Sequence, residues 1–120
     1  AALAAALEDL VKQETHQRVN TVYDMLQVPR NEPLGPEKAS EVLTTYLMSY
    51  LGANFTGLPT ASIHLERENF AIEYSDWKAA EAWLKDVEGP YLANAGSTGL
   101  GIQAISQAAD ELGERFGAFN

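Results

Sequence analysis

The sequence predicts an α+β domain with four main helices and one antiparallel β-hairpin between helices two and three, in the order α-α-β-β-α-α. Three observations predict it. Apolar residues recur at three and four positions across Ala39, Val42, Leu43, Tyr46, Leu47, Tyr50 and Leu51, the spacing of one helix face. The pattern then changes to alternation, with Ile63 and Leu65 set between Ser62, His64 and Glu66, and Phe70, Ile72 and Tyr74 between Ala71 and Glu73, as in strands with one buried face. Pro- and Gly-containing stretches separate the segments.

The first helix is expected over about 2–27. Leu3, Leu7, Leu10 and Val11 open it and Val19, Val22, Tyr23 and Leu26 close it, with the polar run Lys12-Gln13-Glu14-Thr15-His16-Gln17-Arg18 between. No Gly or Pro interrupts that run, so one continuous helix is expected. Residues 28–36 hold three prolines and a glycine and form a loop. Helix two begins with Pro36 at its first position, where the missing N–H costs nothing, and ends at Gly52. Leu47 lies mid-stripe and is expected to meet Ile63, Leu65 and Ile72. Met48, about 100° around the axis, is expected to lie outside that face.

In the hairpin a Glu68-Asn69 turn opposes Leu65 to Ile72, Ile63 to Tyr74 and His64 to Glu73. Ser75 or Asp76 caps the third helix, which carries Trp77, Ala80, Trp83, Leu84 and Val87 and stops at Gly89-Pro90. The last helix runs from about Leu100 to Phe116, with Ile105, Ala108, Ala109, Leu112 and Phe116 on one side. At 120 residues the chain has the size of a single domain spanning 1–120.

Composition narrows the function. Seventeen acidic against eight basic side chains give a formal charge of -9, which repels phosphate backbones and argues against direct nucleic-acid binding. Without cysteine there is no disulfide, thiolate metal site or cysteine nucleophile. No apolar run approaches the ~18 residues of a membrane span, so a cytoplasmic setting with no membrane partner is expected. The two histidines and the carboxylates Asp110, Glu111 and Glu114 form no recognisable metal set, and no cofactor is expected.

Two features resemble sites. Gly96-Ser97-Thr98-Gly99-Leu100-Gly101 precedes a helix, where backbone N–H groups bind anions, but it follows no strand and has no nearby lysine. Its plainer role is a linker in which Ser97 or Thr98 caps the helix. His64 opposite Glu73 would pair an imidazole with a carboxylate on the outer face of the hairpin. Neither makes a catalytic set. The expected function is therefore non-enzymatic protein–protein interaction or assembly, self-associating through Leu3, Leu7 and Leu10 of the first helix, through the hairpin edge, or both. Trp77 and Trp83, about 120° apart around their helix, cannot both point inward, and one is expected at an interface. The alternatives are a small domain binding an anionic ligand at Gly96, Ser97, Thr98 and Gly99 with His64 and Glu73 in support, and an acidic mimic of nucleic acid that inhibits a DNA-binding protein.

Overall fold

A computed structural model describes residues 2–119, with side chains placed for residues 3–114. Five helices follow one another: α1 (Ala2–Met25), α2 (Pro36–Tyr50), α3 (Thr60–Glu73), α4 (Trp77–Ala95) and α5 (Ile102–Phe119). The described residues contain no strand, only a single antiparallel bridge between Leu34 and Leu100. The fold is all-helical, which corrects the expected α+β class and removes the hairpin edge as a surface.

The segment expected to be a hairpin is α3. Read at helical spacing, Ile63, Phe70, Tyr74 and Trp77 follow at seven, four and three residues, and it is this row that faces inward. Ile63 is fully buried, Phe70 and Tyr74 pack against the core, and Trp77 is buried at the start of α4. The Phe70 ring stacks on Tyr74 at 5.2 Å and meets Trp77 edge-on at 6.1 Å. Leu65 and Ile72, expected inside, are 59% and 81% exposed. Glu68-Asn69 also lacks the glycine that a tight hairpin turn favours, whereas Glu66, Arg67 and Glu68 are good helix formers.

Helix α1 is unbroken, as expected, and stops two residues early. Gln27 adopts a left-handed conformation (φ 55°), Val28 N–H reaches back to Tyr23 O at 2.9 Å and Gln27 N–H to Asp24 O at 3.1 Å, a Schellman end. Helix α2 ends the same way, with Gly52 (φ 112°) in the left-handed position that suits glycine and Ala53 N–H bonded to Met48 O at 2.9 Å. Gly35 precedes Pro36 as the N-cap. Asp76 caps α4 by position, with no side-chain hydrogen bond.

Helix α4 passes through Gly89-Pro90, where a stop was expected, and runs to Ala95. Pro90 removes one backbone hydrogen bond. Continuation is favoured because Leu84, Val87 and Glu88 are buried and Tyr91, Leu92 and Ala95 are half-buried against the same core, a row at helical spacing.

Helix α2 touches all four others. Ala39, Val42, Leu43, Thr45, Tyr46, Leu47 and Met48 are all buried, pointing in directions that leave no gap wider than about 100° around the axis. Met48, expected outside the apolar face, is 3% exposed. The α5 residues Ile105, Ala108, Ala109 and Leu112 are buried as expected. Phe116 lies outside the described side chains.

The reassignment of α3 has a direct consequence for stability. Ile72→Ser should change urea-unfolding stability by no more than about 0.5 kcal/mol, as at ordinary surface sites. Ile63→Ala and Met48→Ala should each cost about 2–5 kcal/mol, the range for core truncations. A cost of 2 kcal/mol or more for Ile72→Ser would restore the hairpin.

Candidate functional site

The first half of α1 buries none of its described side chains. Every described side chain from Leu3 to Glu14 is exposed, whereas the second half buries Thr15, Val19, Val22 and Tyr23. Leu3 is 74% exposed, Leu7 55%, Leu10 57% and Val11 53%. These four extend the buried row into the part of α1 that the bundle leaves uncovered. At 100° per residue, Leu3 and Leu10 lie about 100° or more around the axis from the buried residues, whereas Leu7 lies about 60° and Val11 about 20° from Val22, so the four form one apolar stripe that runs on from the buried row and turns outward beyond it. A shallow groove of about 330 Å³ lined by Leu7, Glu8, Val11, Lys12, Asp110 and Glu114 marks where α5 runs beside this half.

Further along, α1, α4 and α5 enclose an open polar cleft of about 620 Å³ containing Lys12, His16, Tyr91, Ser106, Asp110 and Glu111. His16 Nδ1 lies 3.1 Å from Ser106 Oγ. Thr15, buried under α5, places Oγ1 3.1 Å from Val11 O and 3.2 Å from Asp110 Oδ1. Its one hydroxyl proton serves one of these acceptors at a time. Burial pushes the Tyr46 phenol up from its usual value, and a hydrogen bond with Thr15 offsets part of that rise. A polar path therefore joins α2, α1 and α5. An imidazole beside a serine is the beginning of a nucleophile–base pair, but acyl transfer also requires convergent donors for the oxyanion. As placed, the pair ties α1 to α5. No three histidine, aspartate or glutamate side chains among the described residues are grouped to hold a metal.

A second polar cluster joins α2 to α3. Arg67 Nη1 donates to Thr45 Oγ1 and Nη2 to Glu41 Oε2, both at 2.9 Å, while Lys38 Nζ reaches Glu41 Oε1 at 2.7 Å. Burial would push the Glu41 carboxyl up, but the hydrogen bonds and charges of Lys38 and Arg67 outweigh it and hold Glu41 below its ordinary value. His64, on the same edge, sits 3.2 Å from Glu68 and 3.4 Å from Arg67. The expected His64–Glu73 pair does not form: both residues are on α3, nine positions apart, and the helical partner of His64 is Glu68.

Glu88, which the sequence reading passed over, is 3% exposed on α4. Ser40 Oγ donates to its Oε1 at 3.0 Å and Lys85 Nζ lies 3.7 Å away, while Oε2 has no hydrogen-bond partner. A glutamate four residues after Leu84 falls on the buried row, and that spacing was its only signal in the sequence.

The glycine-rich loop is occupied by the chain itself. Leu34 N–H bonds to Leu100 O at 2.7 Å and Leu100 N–H to Leu34 O at 2.8 Å. A Cβ on Gly99 (φ 88°) would lie 2.7 Å from Leu34 O, so this close approach explains the glycine. Thr98 N–H bonds to Ala95 O, and Ser97 and Thr98 lie too far ahead of Ile102 to cap α5. Trp77 is buried and Trp83 half-buried, packed against the same core.

Comparison with protein families, characterised proteins and solved structures gives no match. No helix among the described residues is long and apolar enough to cross a membrane.

The Glu41 cluster predicts a particular acid response. A carboxylate whose folded pKa is depressed adds stability that is present above its unfolded pKa and lost as pH falls through the folded one. Glu41→Gln should therefore be less stable than the parent at pH 7, and the gap should close as pH falls below the ordinary value of 4.5. Urea midpoints at pH 7 and pH 3 measure this. A gap of unchanged size at pH 3 would show that the ionised form of Glu41 contributes nothing.

Proposed function

We propose that this chain is a non-enzymatic helical assembly module that associates with a second copy of itself through the first half of α1. The observation that carries the reading is the stripe of Leu3, Leu7, Leu10 and Val11, each more than half exposed on the half of α1 whose described side chains the bundle leaves uncovered. Side chains of this size, starting from such exposure, gain about 1–2 kcal/mol each on full burial. Eight of them in a pair bring at most roughly 11 kcal/mol, set against an association cost of about 4–15 kcal/mol, so the contact is a weak and reversible one. Interaction surfaces are expected where a contiguous apolar face has polar borders, and Glu8, Asp9, Lys12 and Glu14 border this one.

Light scattering of the intact chain from about 20 µM to 1 mM, concentrations at which a weak contact is populated, should show mass rising from monomer towards dimer. Leu7→Glu should hold it at the monomer, while Leu65→Glu, an equally exposed position on α3, should leave association unchanged. A parent chain that is monomeric throughout, or a Leu7→Glu variant that associates normally, would refute the proposal.

A further inference from the structure

We infer that the two α1 helices pair antiparallel, with Leu7 of each copy at the two-fold axis; this rests on the self-association proposed above and adds its geometry. The apolar residues are arranged symmetrically about Leu7, with Leu3 four positions before it and Leu10 and Val11 three and four positions after it. Reversing one helix about Leu7 sets Leu3 against the pair Leu10 and Val11 of the other copy and Leu7 against itself. A two-fold contact requires this kind of self-complementary patch. Leu10 then meets the partner's Ala4, and the short alanines Ala4, Ala5 and Ala6 let the two backbones come close.

The charges choose between the two directions. Glu14 follows Leu10 by four residues and falls on the same line of the helix, and Arg18 follows Glu14 by four more; both are exposed, with the Arg18 guanidinium over the Tyr50 ring at 5.8 Å. A parallel pair would continue along this line, bringing Glu14 against Glu14 and Arg18 against Arg18. Like charges so placed oppose association. Antiparallel pairing about Leu7 instead separates the two Glu14 residues by about 20 Å along the axis, at 1.5 Å per residue. It also sets the two helix dipoles antiparallel, the favourable arrangement for dipoles lying side by side.

The absence of cysteine makes the geometry testable with single introduced thiols. Leu3→Cys, Leu7→Cys and Leu10→Cys are oxidised separately and as a Leu3→Cys plus Leu10→Cys mixture, with Leu65→Cys as the measure of random collision. Leu7→Cys should form disulfide dimers at least about tenfold faster than Leu65→Cys, because pairing raises the effective thiol concentration. Leu3→Cys and Leu10→Cys should link poorly alone and readily when mixed. Equal self-linking at all three positions would show a parallel pair. Background-level linking in a chain that still dimerises by light scattering would place the contact elsewhere; either result overturns the antiparallel geometry alone. If the parent and variants are monomeric, the self-association reading and this inference both fall.

Discussion

Helix α2 is buried around nearly its whole circumference, and the other four helices are arranged by the need to cover it. An apolar helix of this kind is stable only inside a protein, and Thr45 among its buried residues is tolerated because its hydroxyl donates to Glu41 O at 2.8 Å and accepts from Arg67. The covering helices then need only one inward face each. Helix α3 supplies Ile63, Phe70 and Tyr74, α4 the row from Leu84 to Ala95, and α5 Ile105, Ala108, Ala109 and Leu112. Helix α1 covers α2 with its second half, while the described side chains of its first half stay exposed, with Leu7, Val11 and Lys12 bordering α5. The surface proposed for self-association is what remains of a helix longer than the core it serves.

Several parts of this arrangement can be read from residues alone. Pro36 and Gly52 bracket α2, the uninterrupted run from Leu3 to Leu26 gives α1, and the alanines and Leu112 give the buried side of α5. Residues 63–74 are misread for a physical reason. Ile63, Leu65, Phe70, Ile72 and Tyr74 satisfy the alternation of a strand pair, while three of them also satisfy the spacing of a helix. Over so short a stretch the two periods cannot be separated by counting. The missing turn former at Glu68-Asn69 is the better guide, since a hairpin needs a specific backbone there and a helix does not. At Gly89-Pro90 the opposite occurs: local breakers are present, and packing of Tyr91, Leu92 and Ala95 overrides them.

The candidate sites divide in the same way. The leucines of α1 are legible because they are close in sequence and share one face. Contacts such as His16 with Ser106, Thr15 with Asp110 and Ser40 with Glu88 span 90, 95 and 48 positions, and no local pattern announces them. His64 is exposed, but on a helix and not on the outer face of a hairpin, and it is wrongly paired because the partner of a side chain depends on the period of its backbone. With the glycine-rich loop, the residues are noticed for the wrong reason: Gly99 is required by the approach of Leu34 O, a contact with a segment some 65 positions away.

Native-state hydrogen exchange tests the central place of α2 most directly. Amides of a fully enclosed helix exchange only when the whole domain opens, whereas peripheral helices also exchange through smaller openings. The account predicts that the slowest amides lie between Thr44 and Tyr50 and exchange with the free energy of global unfolding. Those before Thr15 in α1 should be the fastest among the helices in dilute solution. Exchange in α2 as fast as in α3, or through openings much smaller than global unfolding, would contradict it.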